Sequence, residues 1–166
     1  MVGDQGWGDF VRPATADDDA FLYDVFCTTW QDEVATMPNP ALVQHFLRIQ
    51  YTAQNRRFGQ RFPGYERWVV TYAGERAGRL FVHRSPSMLH IVEVTLLPEF
   101  RSRGIGSTLL RGLLDEAAAS GQSVSLRVAR RNVRAAELYG SIGFRLVTMD
   151  DQDNYFEWTP QLSQHG

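Results

Sequence analysis

The stretch "RSRGIG", residues 101–106, sets two arginines ahead of two glycines that flank one isoleucine. It follows an apolar segment ended by Pro98 and opens a run of helical pattern. The backbone amides of residues 102–107 then lie free at a helix N-terminus, where the dipole favours an anion. Glycines at 104 and 106 let a ligand come close to the backbone. Three phosphate chemistries compete for such a loop. A P-loop needs a Gly-Lys-Ser/Thr end, and the chain contains no lysine. A dinucleotide fingerprint needs a third glycine at position 109, which is Leu109. It also needs an acidic residue at the end of the next strand, where the chain reads "RVARR". The third reading is Arg-x-x-Gly-x-Gly as a pyrophosphate cradle, and the bland alternative is a simple turn at Gly104 and Gly106. A second candidate lies just upstream. Glu93 falls inside the apolar run "MLHIVEVTLL" (88–97). An unpartnered carboxylate is costly there, which marks Glu93 for binding or proton transfer. His90 is three residues earlier and on the opposite strand face by simple alternation, unless a bulge intervenes. A surface or hydrogen-bonded core histidine explains it as readily.

The hydrophobic pattern supplies the elements that must position these groups. "DFVRPAT" (9–15) reads as a short strand ended by Pro13. Thr15 and the aspartates after it suit the start of a helix through residue 30, with Phe21, Leu22, Val25 and Phe26 on one face. Pro38 and Pro40 precede a second helix over 41–58, and 59–64 reads as a loop. "RWVVTYAG" (67–74), "RAGRLFVHR" (76–84) and 88–97 are strand-like with short connections, hence antiparallel neighbours. Ile105, Leu109, Leu110, Leu113, Leu114 and Ala117 recur at helical spacing, with Gly121 as the stop. "SVSLRVA" (123–129) is a strand, and 132–142 a helix capped by Asn132 and ended by Gly143. "FRLVTM" (144–149) and "NYFEWT" (154–159) close the chain. The order β-α-α-β-β-β-α-β-α-β-β predicts an α+β (mixed α/β) fold. The unit from 88 to 129 should be a right-handed parallel crossover.

Composition narrows the function. A length of 166 residues favours a single domain over 1–166. A net charge of −2 gives no general footprint for nucleic acid. No apolar run approaches the roughly 20 residues that span a bilayer, so no membrane partner is expected. The N-terminal "MVGDQGWGDF" lacks the basic and apolar regions of a signal peptide, which makes a cytoplasmic location the default. Cys27 is the single cysteine, and the four histidines (45, 83, 90, 165) show no ligand spacing, so no disulfide framework or metal site is expected. All 17 basic residues are arginine, which also excludes a Schiff-base lysine.

The glycine loop does not stand alone. Residues 96–106 read "LLPEFRSRGIG" and residues 132–144 read "NVRAAELYGSIGF". Together they resemble the GNAT superfamily of acyl-CoA-dependent N-acetyltransferases. In that family V/L-x-P-x-x-[R/Q]-x-x-G-x-G/A holds the coenzyme A pyrophosphate, and N-x-x-A-x-x-L-Y-x-x-x-G-F follows. The specific match covers 88–148, and the element order agrees over almost the whole chain. The resemblance implies a GNAT-like fold, a mostly antiparallel sheet with one parallel crossover and helices on both faces. It implies acetyl-CoA as acyl donor, no metal, and direct acetyl transfer to a primary amine of a small molecule or peptide. It places Tyr139 as the acid that protonates the departing sulfur. It places an acidic residue at or beside Glu93, to bind the amine or relay its proton through water. Family members also often bulge this strand, which bears on His90. The coenzyme would lie along the backbone at Leu96 and Leu97, then Arg101, Ser102, Arg103, Gly104, Ile105, Gly106 and Ser107, and meet Asn132, Ala135 and Tyr139. Its pantetheine arm would pair with a strand edge where 88–97 and 123–129 splay apart.

Arg130, Arg131 and Arg134 would reach the 3′-phosphate or face solvent. Trp30, Tyr65 and Trp68 would line an acceptor pocket or pack the core. Residues 1–33 hold eight acids and one arginine. That fits a cationic acceptor drawn by Asp32 or Glu33, or an exposed aspartate cluster at a helix start. Two other functions share the motifs: a non-catalytic acyl-CoA-binding regulatory module, and transfer of a longer acyl group or to a hydroxyl. Homodimers are common among such proteins, and nothing in the sequence specifies one.

Overall fold

The three central strands form an antiparallel meander because the turns between them are tight. They are β2 (Glu66–Tyr72), β3 (Glu75–Arg84) and β4 (Met88–Leu96) in the computed structural model, which describes residues 7–161. Tyr72 pairs with Glu75 across Ala73 and Gly74, whose φ values of 51° and 81° are those of a two-residue hairpin. The short strand β1 (Val11–Pro13) pairs with β2 at the sheet edge, where proline does least harm to the ladder. Beyond β4 the chain crosses over through helix α4 (Ile105–Ala119) and returns as β5 (Ser123–Ala129), parallel to β4. Helix α5 (Val133–Ile142) leads to β6 (Arg145–Met149), and β7 (Asp153–Trp158) inserts between β6 and β5. The result is one seven-stranded sheet, β1-β2-β3-β4-β5-β7-β6, antiparallel except at β4–β5. This is the α+β architecture the sequence predicts. The stretch before Trp7 and His165 lie outside the described residues.

Alternation along β3 sorts the two faces. Leu80 and Val82 join Leu109, Leu113 and Ala117 of α4 in the larger core. Phe81 packs with Leu22 and Val69 on the other face, under α1 (Asp19–Thr28). A single turn, α2 (Gln31–Val34), connects α1 to the long helix α3 (Pro40–Arg61). Asn39 caps α3, its side-chain oxygen accepting from the Ala41 amide at 2.8 Å, with Pro40 at the first helical position. The helix runs through Gly59, a residue that costs about 1 kcal/mol against alanine in a helix interior. Tertiary packing on both sides of that glycine outweighs the propensity. Phe58 packs on Tyr65 and Phe81, and Phe62 stacks on His90. The expected loop at 59–64 therefore begins only at Phe62. No helix among the described residues is long and apolar enough to cross a membrane.

The aspartates at the start of α1 are not all a solvated cluster. Asp18 is 2% exposed. It accepts two bonds of 2.8 Å from the Arg12 guanidinium and one of 2.9 Å from the Thr15 amide, and meets Arg76 at 3.4 Å. The Arg12 bonds hold its carboxyl well below the usual carboxylate range. This aspartate ties β1 to β3 and is accounted for structurally.

One glycine fixes how closely β3 and β4 approach. A Cβ on Gly78 would fall on the Thr95 carbonyl oxygen and crowd Leu96. Gly78→Ala is therefore expected to destabilise by about 2–3 kcal/mol. Thermal unfolding checks this, with the midpoint falling by about 4–12 °C for a chain of this size.

Candidate active site

The register of β3 and β4 slips at the centre of the sheet. Phe81 is opposite Glu93, but Val82 is opposite Ile91, so Val92 is an extra residue and β4 carries a bulge. Residues opposite one another share a sheet face. His90, Glu93 and Thr95 consequently stand on one face with His83, Phe81 and Arg79. Simple alternation separates His90 from Glu93, and the bulge reunites them. Glu93 is not unpartnered either. Its Oε2 lies 3.2 Å from Nη2 of Arg79, and its Oε1 accepts from the Thr95 hydroxyl at 2.9 Å. Arg79 is 0% exposed, lies over the rings of Phe26 and Phe81, and also donates to Gln54 at 3.0 Å. An arginine in the middle of the run "AGRLFV" (77–82) of β3 is the sequence signal for this buried pair.

Just beyond His90 the sheet opens. β4 and β5 are paired only from Met88–Ile91 to Ser123–Leu126, and then they part. The gap is a cavity of about 200 Å³ lined by Glu93, Val94, Val128, Asn132 and Tyr139 among others. Tyr139 packs edge-on against Phe144 and tilted against Phe156. Burial, and next the Glu93 carboxylate, push its phenol up from 10.0, so it keeps its proton at neutral pH. The Leu97 amide donates to the Ala77 carbonyl at 2.8 Å and so faces β3. Amide directions alternate along a strand, which turns those of Val94 and Leu96 toward the open side.

The glycine loop sits at one mouth of this gap. Gly104 caps α4 at φ 79°, and Ser102 holds φ 64°, a conformation that costs a non-glycine residue of order 1–3 kcal/mol. A Cβ on either Gly104 or Gly106 would touch nothing within 4 Å, so the space above both is open to a ligand. That space is about 590 Å³ and is bounded by Leu96, Arg101, Ser102, Gly104, Ile105, Gly106, Ser107, Asn132 and Ala135, with Arg134 and Leu138. Asn132 caps α5 by accepting from the Ala135 amide at 3.2 Å. Arg101 folds back to donate to the Leu96 carbonyl at 3.1 Å. Arg103 stands apart, its guanidinium over the rings of Tyr72 and Phe100. Arg130 bonds the Asp150 carbonyl, and Arg131 pairs with Glu33 at 3.5 Å.

At the other mouth lies a cavity of about 570 Å³ between the end of α3 and strands β4, β5 and β7. It shares Val92, Leu126 and Arg127 with the gap, so the two adjoin. His90 forms part of its floor, stacked on Phe62 at 4.6 Å with Nδ1 2.7 Å from the Ser125 hydroxyl. Burial, then the charges of Arg61, Arg127 and His83, lower its pKa to about 4. Trp30, Tyr65 and Trp68 do not line this cavity. Trp30 packs on Phe26 and Phe46, and Tyr65 on Phe58 and Phe81. Trp68 donates its indole N–H to Glu66 at 3.0 Å. No group of three or more potential metal ligands exists among the described residues.

Comparison with known proteins agrees with this geometry. Residues 22–144 match the model of the acetyltransferase (GNAT) family. PaiA N-acetyltransferase from Thermoplasma acidophilum, in complex with coenzyme A, is 18% identical with a TM-score of 0.66, over 90% of this chain and 97% of that one. The histone acetyltransferase HPA2 and related acetyltransferase from Corynebacterium glutamicum is 20% identical with a TM-score of 0.67, over 93% and 98%. A GNAT family acetyltransferase from Elizabethkingia anophelis with acetyl-CoA bound is 15% identical with a TM-score of 0.58, over 90% and 96%. At these identities the likeness establishes the fold. No curated protein matches the sequence significantly.

His90 gives the site a measurable signature. Between its ordinary 6.5 and about 4 the unfolded chain binds a proton that the folded chain refuses, so stability falls as pH drops through that window. An NMR titration of the His90 ring should show a midpoint near 4. Removing a neighbouring positive charge with Arg61→Gln should move that midpoint upward, and a midpoint near 6.5 would contradict the burial described.

Proposed function

The chain belongs to the acetyltransferase (GNAT) family. On that premise we propose that it works as a single-domain enzyme moving the acetyl group of acetyl-CoA directly to a primary amine of a small molecule or peptide. The observation that carries the reading is the early parting of β4 and β5, with an open glycine loop at one mouth and a separate cavity at the other. The free amides of the α4 N-terminus bind the pyrophosphate, with Arg101 and Arg134 on the walls. The outward amides of Val94 and Leu96 bond the pantetheine arm as an added strand would. An amide on the same edge polarises the thioester carbonyl.

Glu93, fixed by Arg79 and Thr95, accepts from the acceptor amine and aims its lone pair at the acyl carbon. The nitrogen–carbon bond forms as the carbon–sulfur bond breaks, and the amine's surplus proton leaves through water beside Glu93. Tyr139 donates its O–H to the departing sulfur. Full transfer from a phenol pushed above 10 to a thiolate with an ordinary pKa of about 8.5 is uphill. The main contribution of Tyr139 is thus a hydrogen bond to charge as it develops, completed by solvent protonation.

Acetyl-CoA at about 100 times its Kd should add about 2.7 kcal/mol of stability and raise the unfolding midpoint by about 5–11 °C. Gly106→Glu, at a position where a Cβ meets no protein atom within 4 Å, should keep the fold and abolish that rise. Tyr139→Phe should preserve the rise and lower the rate of thiol release about 10²-fold. Unchanged turnover in Tyr139→Phe would remove its role.

A further inference from the structure

The cavity beyond the acetyl site carries charge that the fold does not consume. Arg57 and Arg61 lie one turn apart on the last turns of α3, and both line it. Neither is ion-paired with a described carboxylate, whereas Arg127, also on its wall, is committed to Asp153 at 3.3 Å. Much of the remaining lining is apolar and aromatic, with Phe58, Phe62 and Met88, and the Arg61 guanidinium lies over the Phe62 ring at 5.8 Å. Glu157 lines the same cavity opposite Ser125 in the β5–β7 register. The acids expected to draw a cationic acceptor are elsewhere, since Glu33 pairs with Arg131 and neither it nor Asp32 reaches this space.

We infer that the acceptor is an apolar amine bearing a carboxylate, an amino acid with an aromatic or aliphatic side chain. Its carboxylate meets Arg57 and Arg61, and its amine lies toward Glu93. This rests on the proposed acetyl transfer and names the substrate class of that same site. The planar fork of a guanidinium matches a carboxylate, and an unpaired arginine beside an apolar wall is where such a group gains most. Glu157 gives the cavity both signs, which suits a zwitterion better than a simple cation. The volume of about 570 Å³ lies in the ordinary range for small ligands, large enough for an aromatic amino acid. The field of the arginines also reaches the floor, since the charges of Arg61 and Arg127 help to lower the pKa of His90.

The test compares phenylalanine with phenylalaninamide as acceptors, with acetyl-CoA and detection of free thiol. Chemistry alone favours the amide, whose amine has the lower pKa and the larger neutral fraction at neutral pH. Recognition of the carboxylate reverses that order, and kcat/KM for phenylalanine is expected to be at least about tenfold higher, as for one lost charge-assisted bond. The double variant Arg57→Gln, Arg61→Gln, at two exposed positions, should bring the ratio down to one or below, with the acetyl-CoA-induced rise in unfolding midpoint as the check on folding. A ratio at or below one in wild type, or a ratio unmoved in the variant, overturns the proposal.

Should neither amine be acetylated, equilibrium binding still decides the pocket. N-acetylphenylalanine should bind the protein–coenzyme A complex at least about tenfold more tightly than N-acetylphenylalaninamide. Equal affinity, or no binding of either, overturns the carboxylate site.

Discussion

Everything the site does depends on two parallel strands that stop pairing while still side by side. Backbone amides and carbonyls without partners are costly in a protein interior, so a gap between neighbouring strands closes unless each is held from outside. Here each is. β5 is paired along Val124–Ala129 with β7, and β4 is paired through Leu96 with β3. The bulge at Val92 then bends β4 where the parting begins. Groups that would have bonded across the gap are left for a ligand. Gly78 belongs to the same constraint, because only a residue without a side chain lets β3 follow β4 as far as Leu96.

The bulge also sets the electrostatics. It brings Glu93 onto the face of Arg79, a guanidinium with no exposure and with Nε and Nη1 unbonded to any described residue. Such a buried charge is poor value for stability, and replacement by apolar residues often does no harm in other proteins. Its benefit lies in what it holds. With Arg79 on one oxygen and Thr95 on the other, the Glu93 carboxylate is fixed beside the gap that Tyr139 closes from the far side. The same carboxylate helps keep the phenol protonated. An acceptor of hydrogen bonds and a donor are thereby set across one small space.

Much of this was legible in the sequence. The element order follows from hydrophobic period and turn residues, and the glycine loop lies at the α4 N-terminus where "RSRGIG" places it. What escaped was whatever depends on a register or on a partner far along the chain. In "HIVEV" two consecutive apolar residues, Ile91 and Val92, break the alternation between His90 and Glu93, which admits a bulge without fixing the register that makes Val92 the extra residue. Asp18 reads as a solvated helix-start acid until β1 and β3 bring Arg12 and Arg76 onto it. Arg103 neighbours the motif arginine Arg101 and is equally cationic, yet the aromatic faces of Tyr72 and Phe100 take its guanidinium. The aromatic residues of the second cavity were missed for a related reason. Gly59 reads as a helix end, whereas Phe58 and Phe62 pack well enough to carry α3 past it.

Net charge misleads for the same kind of reason. At −2 the chain gives no hint of cationic sites, yet its acids and arginines are unevenly spent. Asp18 takes up Arg12 and Arg76, Glu66 and Glu116 take up Arg84, and Asp153 takes up Arg127. The arginines left without carboxylate partners include Arg101 and Arg134 at the glycine-loop mouth and Arg57 and Arg61 at the other. Two cationic mouths thus flank the narrow gap, and each attracts anions over cations. Between them Glu93 is the one carboxylate among the described residues that line the gap, so the field changes sign over a short distance.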